Sequence, residues 1–147
     1  MRTDIPHLVS EHRECDELLH RAEQAINEGQ LTEALVLLNR FSDMLNRHLQ
    51  EEEQDWFPAF EKQTGMTSGP TMVMRTEHAD IRDMAAQASS AANAGQTEEA
   101  LAAIDTLNVL LQQHNVKEEN ILYPMLERVL GAKTEGSACC GGCTCSG

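Results

Sequence analysis

The stretch His48-Leu-Gln-Glu-Glu-Glu-Gln-Asp-Trp-Phe-Pro58 sets a histidine four residues before a carboxylate and closes on an aromatic residue and a proline. The arrangement returns 66 residues later as His114-Asn-Val-Lys-Glu-Glu-Asn-Ile-Leu-Tyr-Pro124, with Glu at +4 and +5, an aromatic residue at +9 and proline at +10. So regular an interval points to duplication. Aligning residues 7–66 with residues 73–132 gives 17 identities in 60 pairs, among them Glu11/Glu77, His12/His78, Gly29/Gly95, Leu35/Leu101, Glu52/Glu118 and Gly65/Gly131.

Each repeat reads as two helices. The first helix starts near Asp4, has Pro6 in its first turn and stops at Asn27-Glu28-Gly29, where glycine suits the left-handed residue after a helix. Thr32 is the expected cap of the second helix, which runs to about Lys62, with Pro58 predicted to kink or end it. The third helix starts at Pro70 or Thr71 and ends at Asn93-Ala94-Gly95; the fourth runs from about Thr97 to Gly131 past a second late proline, Pro124. Two hairpins with short connections and an approximate twofold make an all-α, antiparallel up-down four-helix bundle. The expected domain is residues 1–132, followed by a disordered Gly/Cys-rich tail at 133–147, which lacks the apolar residues to pack.

Composition agrees with that class. The chain has 147 residues, enough to bury a core, and only 3% of them are aromatic, which favours helix over sheet. The net charge of -13, with no Lys/Arg cluster, argues against nucleic acid or an anionic membrane as partner. The N-terminal sequence has no apolar core of the ~7–15 residues a signal peptide needs, and no later run reaches the ~20 of a spanning helix. A cytoplasmic protein is expected, whose five cysteines are free or metal-binding rather than disulfide-bonded.

Residues i and i+4 lie about 40° apart around a helix axis and about 6 Å along it, so His48 with Glu52, and His114 with Glu118, can each address one point. The twofold brings both pairs to the bundle axis, and the first helix of each half adds His12 (SEHRE) or His78 (TEHAD). Four imidazoles and two carboxylates suit a pair of first-row transition ions, each ion taking one histidine from each helix of a hairpin and the two glutamates bridging. Leu8, Leu45, Leu49, Leu107, Leu111 and Leu122 are placed to keep such a centre dry. His7 and His20 align with Val73 and Ala86 and are read as non-ligands. Glu11, Glu53, Glu77 and Glu119, next to the ligand positions, are candidates to hold imidazole N–H groups, with a solvated surface position as the competing reading. Cys15 reads as a small buried hydrophobe rather than a pocket thiol.

This pattern resembles the hemerythrin-like, or HHE cation-binding, domain, whose hallmark is His…His-x-x-x-Glu…His…His-x-x-x-Glu with Glu-Glu-x-x-hydrophobic-aromatic-Pro runs, here EEQDWFP and EENILYP. The resemblance covers about residues 4–130. It implies a non-haem centre of two iron ions, oxo- or hydroxo-bridged, with His12, His48, His78 and His114 as terminal ligands and Glu52 and Glu118 as bridges; manganese and zinc stay open alternatives. The fifth histidine of the oxygen carriers falls on Met74, a poor ligand for ferric iron, so both irons are expected to keep an open position. That favours two-centre chemistry on nitric oxide or peroxide over reversible oxygen carriage. The expected function is binding or reduction of O2, NO or peroxide in nitrosative or oxidative stress defence or iron homeostasis, whether as an enzyme or not. The alternative is a non-enzymatic iron donor or redox sensor that serves an iron-acceptor protein. Cys139, Cys140, Cys143 and Cys145, with Cys-x-x-Cys and Cys-x-Cys spacings, form a candidate second metal or redox site for that role.

Overall fold

Each half of the chain turns back on itself at a glycine. In the computed structural model, which describes residues 4–135, α1 (Pro6–Asn27) passes to α2 (Leu31–Glu51) through Gly29 at φ +76°. Here Gly29 N–H donates to Ile26 O and Gln30 N–H to Ala25 O, a left-handed cap that only glycine forms without strain. The second half repeats it: α4 (Pro70–Asn93) passes to α5 (Thr97–Lys117) through Gly95 at φ +74°. Between them lies α3 (Phe57–Thr64), and α6 (Tyr123–Glu135) ends the described chain. Gln30 O and Gln96 O already accept the amides of Ala34 and Ala100, so the next helix starts at once. Thr32 is therefore inside the first turn of α2, whose cap position is Gln30, and is not the expected cap.

The two late prolines do not end their helices. Five-residue π-helical turns, Glu52–Trp56 and Glu118–Leu122, carry α2 into α3 and α5 into α6, with Phe57 N–H donating to Glu52 O and Tyr123 N–H to Glu118 O. The wide turn lets the chain pass a residue that has no N–H and whose ring would strike the carbonyl one α-turn back. Arg75 Nη1 donates to Glu53 O at 3.4 Å, serving a carbonyl that the proline cannot. With the joined helices counted once, the described residues form a four-helix bundle without a strand.

Packing follows the repeat. α1 lies on α2 and α4 on α5, and contacts of α2 with α4 and of α1 with α5 close the ring, while α3 packs on α6 at one end. Two apolar clusters fill the interior. Leu18, Leu38, Phe41, Leu45, Ile81, Ile104 and Leu107 belong to one, and Leu8, Trp56, Phe57, Phe60, Met74, Leu122 and Leu126 to the other. Each buried side chain of this size contributes about 1.5–3 kcal/mol. Along every long helix a histidine separates the two: Leu8, His12, Cys15 on α1; Met74, His78, Ile81 on α4; Leu45, His48, Trp56 from α2 onward; Leu111, His114, Leu122 from α5 onward. A polar layer thus crosses an otherwise apolar bundle. Among the described residues no helix is long and apolar enough to cross a membrane.

Candidate metal centre

The polar layer consists of His12, His48, His78, His114, Glu52 and Glu118, none more than 4% exposed. Their side chains converge on two points. In one group His12 Nε2 lies 3.0 Å from Glu118 Oε1 and His48 Nε2 lies 3.3 Å from Glu52 Oε2; in the other His78 Nε2 lies 3.1 Å from Glu52 Oε1 and His114 Nε2 lies 2.9 Å from Glu118 Oε2. Within each group of four residues the potential ligand atoms all lie within 4.8 Å of one another. Both carboxylates belong to both groups, one oxygen turned to each.

The outer nitrogens decide what the inner ones can do. His12 Nδ1 donates to Glu119 Oε2 at 2.7 Å and His78 Nδ1 to Glu53 Oε2 at 2.7 Å; His48 Nδ1 donates to Glu11 Oε1 and His114 Nδ1 to Glu77 Oε1, both at 2.8 Å. An ionised carboxylate only accepts, so the proton of each neutral imidazole is on Nδ1 and the lone pair on Nε2. Those lone pairs face carboxylate oxygens, which are acceptors too. Accordingly His48 Nε2, His78 Nε2, His114 Nε2, Glu52 Oε1 and Glu118 Oε2 are buried without a hydrogen-bond partner. A buried carboxylate without compensation costs several kcal/mol, and a cation between the facing acceptors satisfies all of them at once. The residues therefore fit one metal ion in each group.

Protons are the competing cation. Burial pulls the His78 imidazole down, but the Glu118 and Glu52 carboxylates that face its Nε2 outweigh that and lift it to about 9. His114 is raised in the same way against its burial, chiefly through Glu118, and His48 well above its usual value through Glu52 and Glu11. Glu118 is fully buried, which would raise it, yet the imidazoles that face it, His114 first, hold it well below the usual carboxylate range.

Glu11, Glu53, Glu77 and Glu119 thus each hold an imidazole and are not simply solvated charges. Two of them are themselves tethered: Arg82 forks onto Glu53 at 2.8 and 3.1 Å, and Lys117 Nζ donates to Glu77 Oε2. The Leu residues expected to seal the layer are all buried. Met74 is in the apolar cluster, Cys15 is in the other with its thiol pushed by burial up to about 12, and His20 is exposed. His7 lies outside the layer, bonded to Asp4 and Glu51, although with Glu11 and Glu51 it forms a further, half-buried group of metal-ligating type. Cys139, Cys140, Cys143 and Cys145 lie outside the described residues.

One residue at the centre goes beyond these expectations. Tyr123, buried, donates its hydroxyl to Glu52 Oε2 at 2.5 Å and Glu118 Oε1 at 2.9 Å, and the oxygen lies 3.2 Å from His12 Nε2. Burial and the two glutamate charges push the phenol well above its usual value, so it keeps its proton. Its signal in the sequence was the aromatic at +9, where Phe57 and Tyr123 occupy matching positions and only one has a hydroxyl. A cleft of about 480 Å3, lined by Val9, Arg13, Glu119, Tyr123 and Glu127 among others, opens beside it.

Fold and layer together define a cation-binding helical bundle. A model of the hemerythrin HHE cation-binding domain matches residues 3–126, and the chain belongs to that family. No curated protein and no solved structure matches it.

Proposed function

We propose that the chain is a non-haem di-iron protein that binds or reduces small ligands, O2, NO or peroxide, in stress defence or iron homeostasis. His12 and His48 would hold one iron and His78 and His114 the other, with Glu52 and Glu118 available to both. The observation that supports this reading is the set of buried acceptors that face one another without a donor. Two irons supply Lewis acidity and electrons at adjacent positions. The chain's own part is to fix the imidazoles through four carboxylates, to exclude water with an apolar cluster on each side, and to place the Tyr123 hydroxyl against Glu52 Oε2 and Glu118 Oε1. With Met74 in place of a fifth histidine, no side chain of α4 one turn before His78 can fill the remaining positions as an imidazole would.

Metal content and the visible spectrum of protein made under iron-replete conditions test it, with residues 136–147 present and deleted. Two irons per chain in both forms are expected, followed by consumption of NO or peroxide. An iron-free bundle in both would sink the reading. A second reading is favoured by the four cysteines at 139–145: an iron donor or redox sensor acting on an iron-acceptor protein. Iron transfer that requires those residues, without turnover of NO or peroxide, would support it.

A further inference from the structure

The two halves offer the same imidazoles and carboxylates to the centre, but Phe57 and Tyr123 differ. Both rings lie against the first-helix imidazole of a half, Tyr123 on His12 with centroids 5.7 Å apart and Phe57 on His78 at 5.6 Å. Only Tyr123 brings a hydroxyl. Its oxygen is within hydrogen-bond distance of Glu52 Oε2, Glu118 Oε1 and His12 Nε2, three of the four atoms that face one another in the His12/His48 group. The opposite oxygens of the same carboxylates, Glu52 Oε1 and Glu118 Oε2, face His78 and His114 and receive no hydrogen bond.

A carboxylate oxygen that accepts an O–H bond has less electron density to give a cation, and hydrogen bonds to charged acceptors are among the stronger ones. The two halves therefore differ in donor strength.

We infer that the Tyr123 hydroxyl makes the two metal positions unequal, the His78/His114 position being the tighter and the His12/His48 position the weaker and more readily exchanged one. This rests on reading the layer as a two-metal centre. Tyr123 acts through Glu52 and Glu118 and is a positioning residue; Tyr123→Phe, which removes one oxygen atom, makes the halves more alike.

The test is titration of the metal-free full chain with cobalt(II) alone, followed by its visible absorption. In the natural protein two steps separated by roughly tenfold or more are expected, the size of one charge-assisted hydrogen bond. In Tyr123→Phe the weaker step tightens and the two merge to within about threefold. Mössbauer spectra of the iron-57 protein should show two doublets in the natural chain and a convergence toward one in the variant. A separation unchanged in Tyr123→Phe, or coincident steps in the natural chain, would overturn the inference. Should Tyr123→Phe fail to fold, as judged by circular dichroism, Phe57→Tyr adds a hydroxyl to the other half: weakening of its tight step is expected, and no change overturns the inference. No cobalt bound by the natural chain overturns the two-metal reading itself, so the two failures are told apart.

Discussion

The arm that steadies His48 and the arm that steadies His114 occupy equivalent places in the repeat, yet they are built differently. Glu77 holds His114 and is itself held by Lys117, a permanent cation. Glu11 holds His48, but the position equivalent to Lys117 is Glu51, whose carboxylate instead accepts from Trp56 Nε1 at 2.8 Å and bonds His7 Nε2 at 3.0 Å. Burial lowers the His7 pKa, but Glu51 and Asp4 outweigh it and raise the group, so the positive charge bonded to this arm is one that titrates, with the permanent charge of Arg47 adding to it at Glu11. The six converging residues repeat, and so do the four glutamates that hold the imidazoles; the groups beyond those, Lys117 in one half and Glu51 in the other, answer to local charge and have diverged.

Removing a group shared by both halves should give the largest effect. Glu52→Ala or Glu118→Ala takes an oxygen from both positions and should drop iron from two per chain toward none, whereas His12→Ala or His78→Ala should leave about one. Elemental analysis decides, and equal losses in all four variants would refute the shared-carboxylate geometry. Stripping the metal with a chelator should lower the melting temperature by roughly 5–10 °C, taking ~2.7 kcal/mol of linkage at a hundredfold excess over Kd and ~2–4 °C per kcal/mol for a chain of about this size.

Next in size is the pH dependence of the metal-free protein. The His78, His48 and His114 imidazoles are raised above their unfolded value, His78 to about 9. Groups raised on folding stabilise fully below the unfolded pKa of about 6.5, and that contribution is lost as pH rises through the folded value. Urea unfolding midpoints of the metal-free protein should therefore fall between about pH 6.5 and 9. The metal-loaded protein, whose Nε2 atoms bear no proton, should show no such decline and should instead lose metal as pH falls. Parallel curves for the two forms would contradict the competition between protons and metal. On the outer ring, Glu77→Gln and Glu11→Gln should each weaken cobalt binding about 10–100-fold, the scale for carboxylates that orient a ligating imidazole.

The repeat was legible because the centre demands it. His12, His48, Glu52, His78, His114 and Glu118 stood out by offset alone, and Gly29 and Gly95 marked the turns because their backbone conformation suits glycine. Pro58 was legible only in part: it marked a break in a helix that runs past it, as expected, but the π turn that accommodates it depends on the register of the surrounding bundle. Glu11 and Glu119 could not be assigned from spacing, because adjacent helical residues point about 100° apart and only the neighbouring helix shows which imidazole each one meets. Tyr123 escaped for a different reason: an aromatic residue at a buried position needs no hydroxyl to fill space, so its role becomes visible only when the oxygen is placed against Glu52 and Glu118.

The smallest effect separates the two outer cations. Lys117 is about half exposed, with 46% of its side-chain surface accessible, and an ion pair there is worth about 1 kcal/mol at most because water screens it. Lys117→Ala should therefore shift the urea midpoint little, and by the same amount at pH 6 and pH 8, since the charge removed does not titrate in that range. His7 is only 12% accessible, and its raised pKa places its stabilising charge below the folded value, with loss as pH rises through it. His7→Ala should thus destabilise more at pH 6 than at pH 8. Midpoints for both variants at both pH values measure the difference. A His7→Ala cost that is independent of pH would show that the first arm is held by packing around Trp56 rather than by a titrating charge, and the contrast between the two halves would then be one of shape.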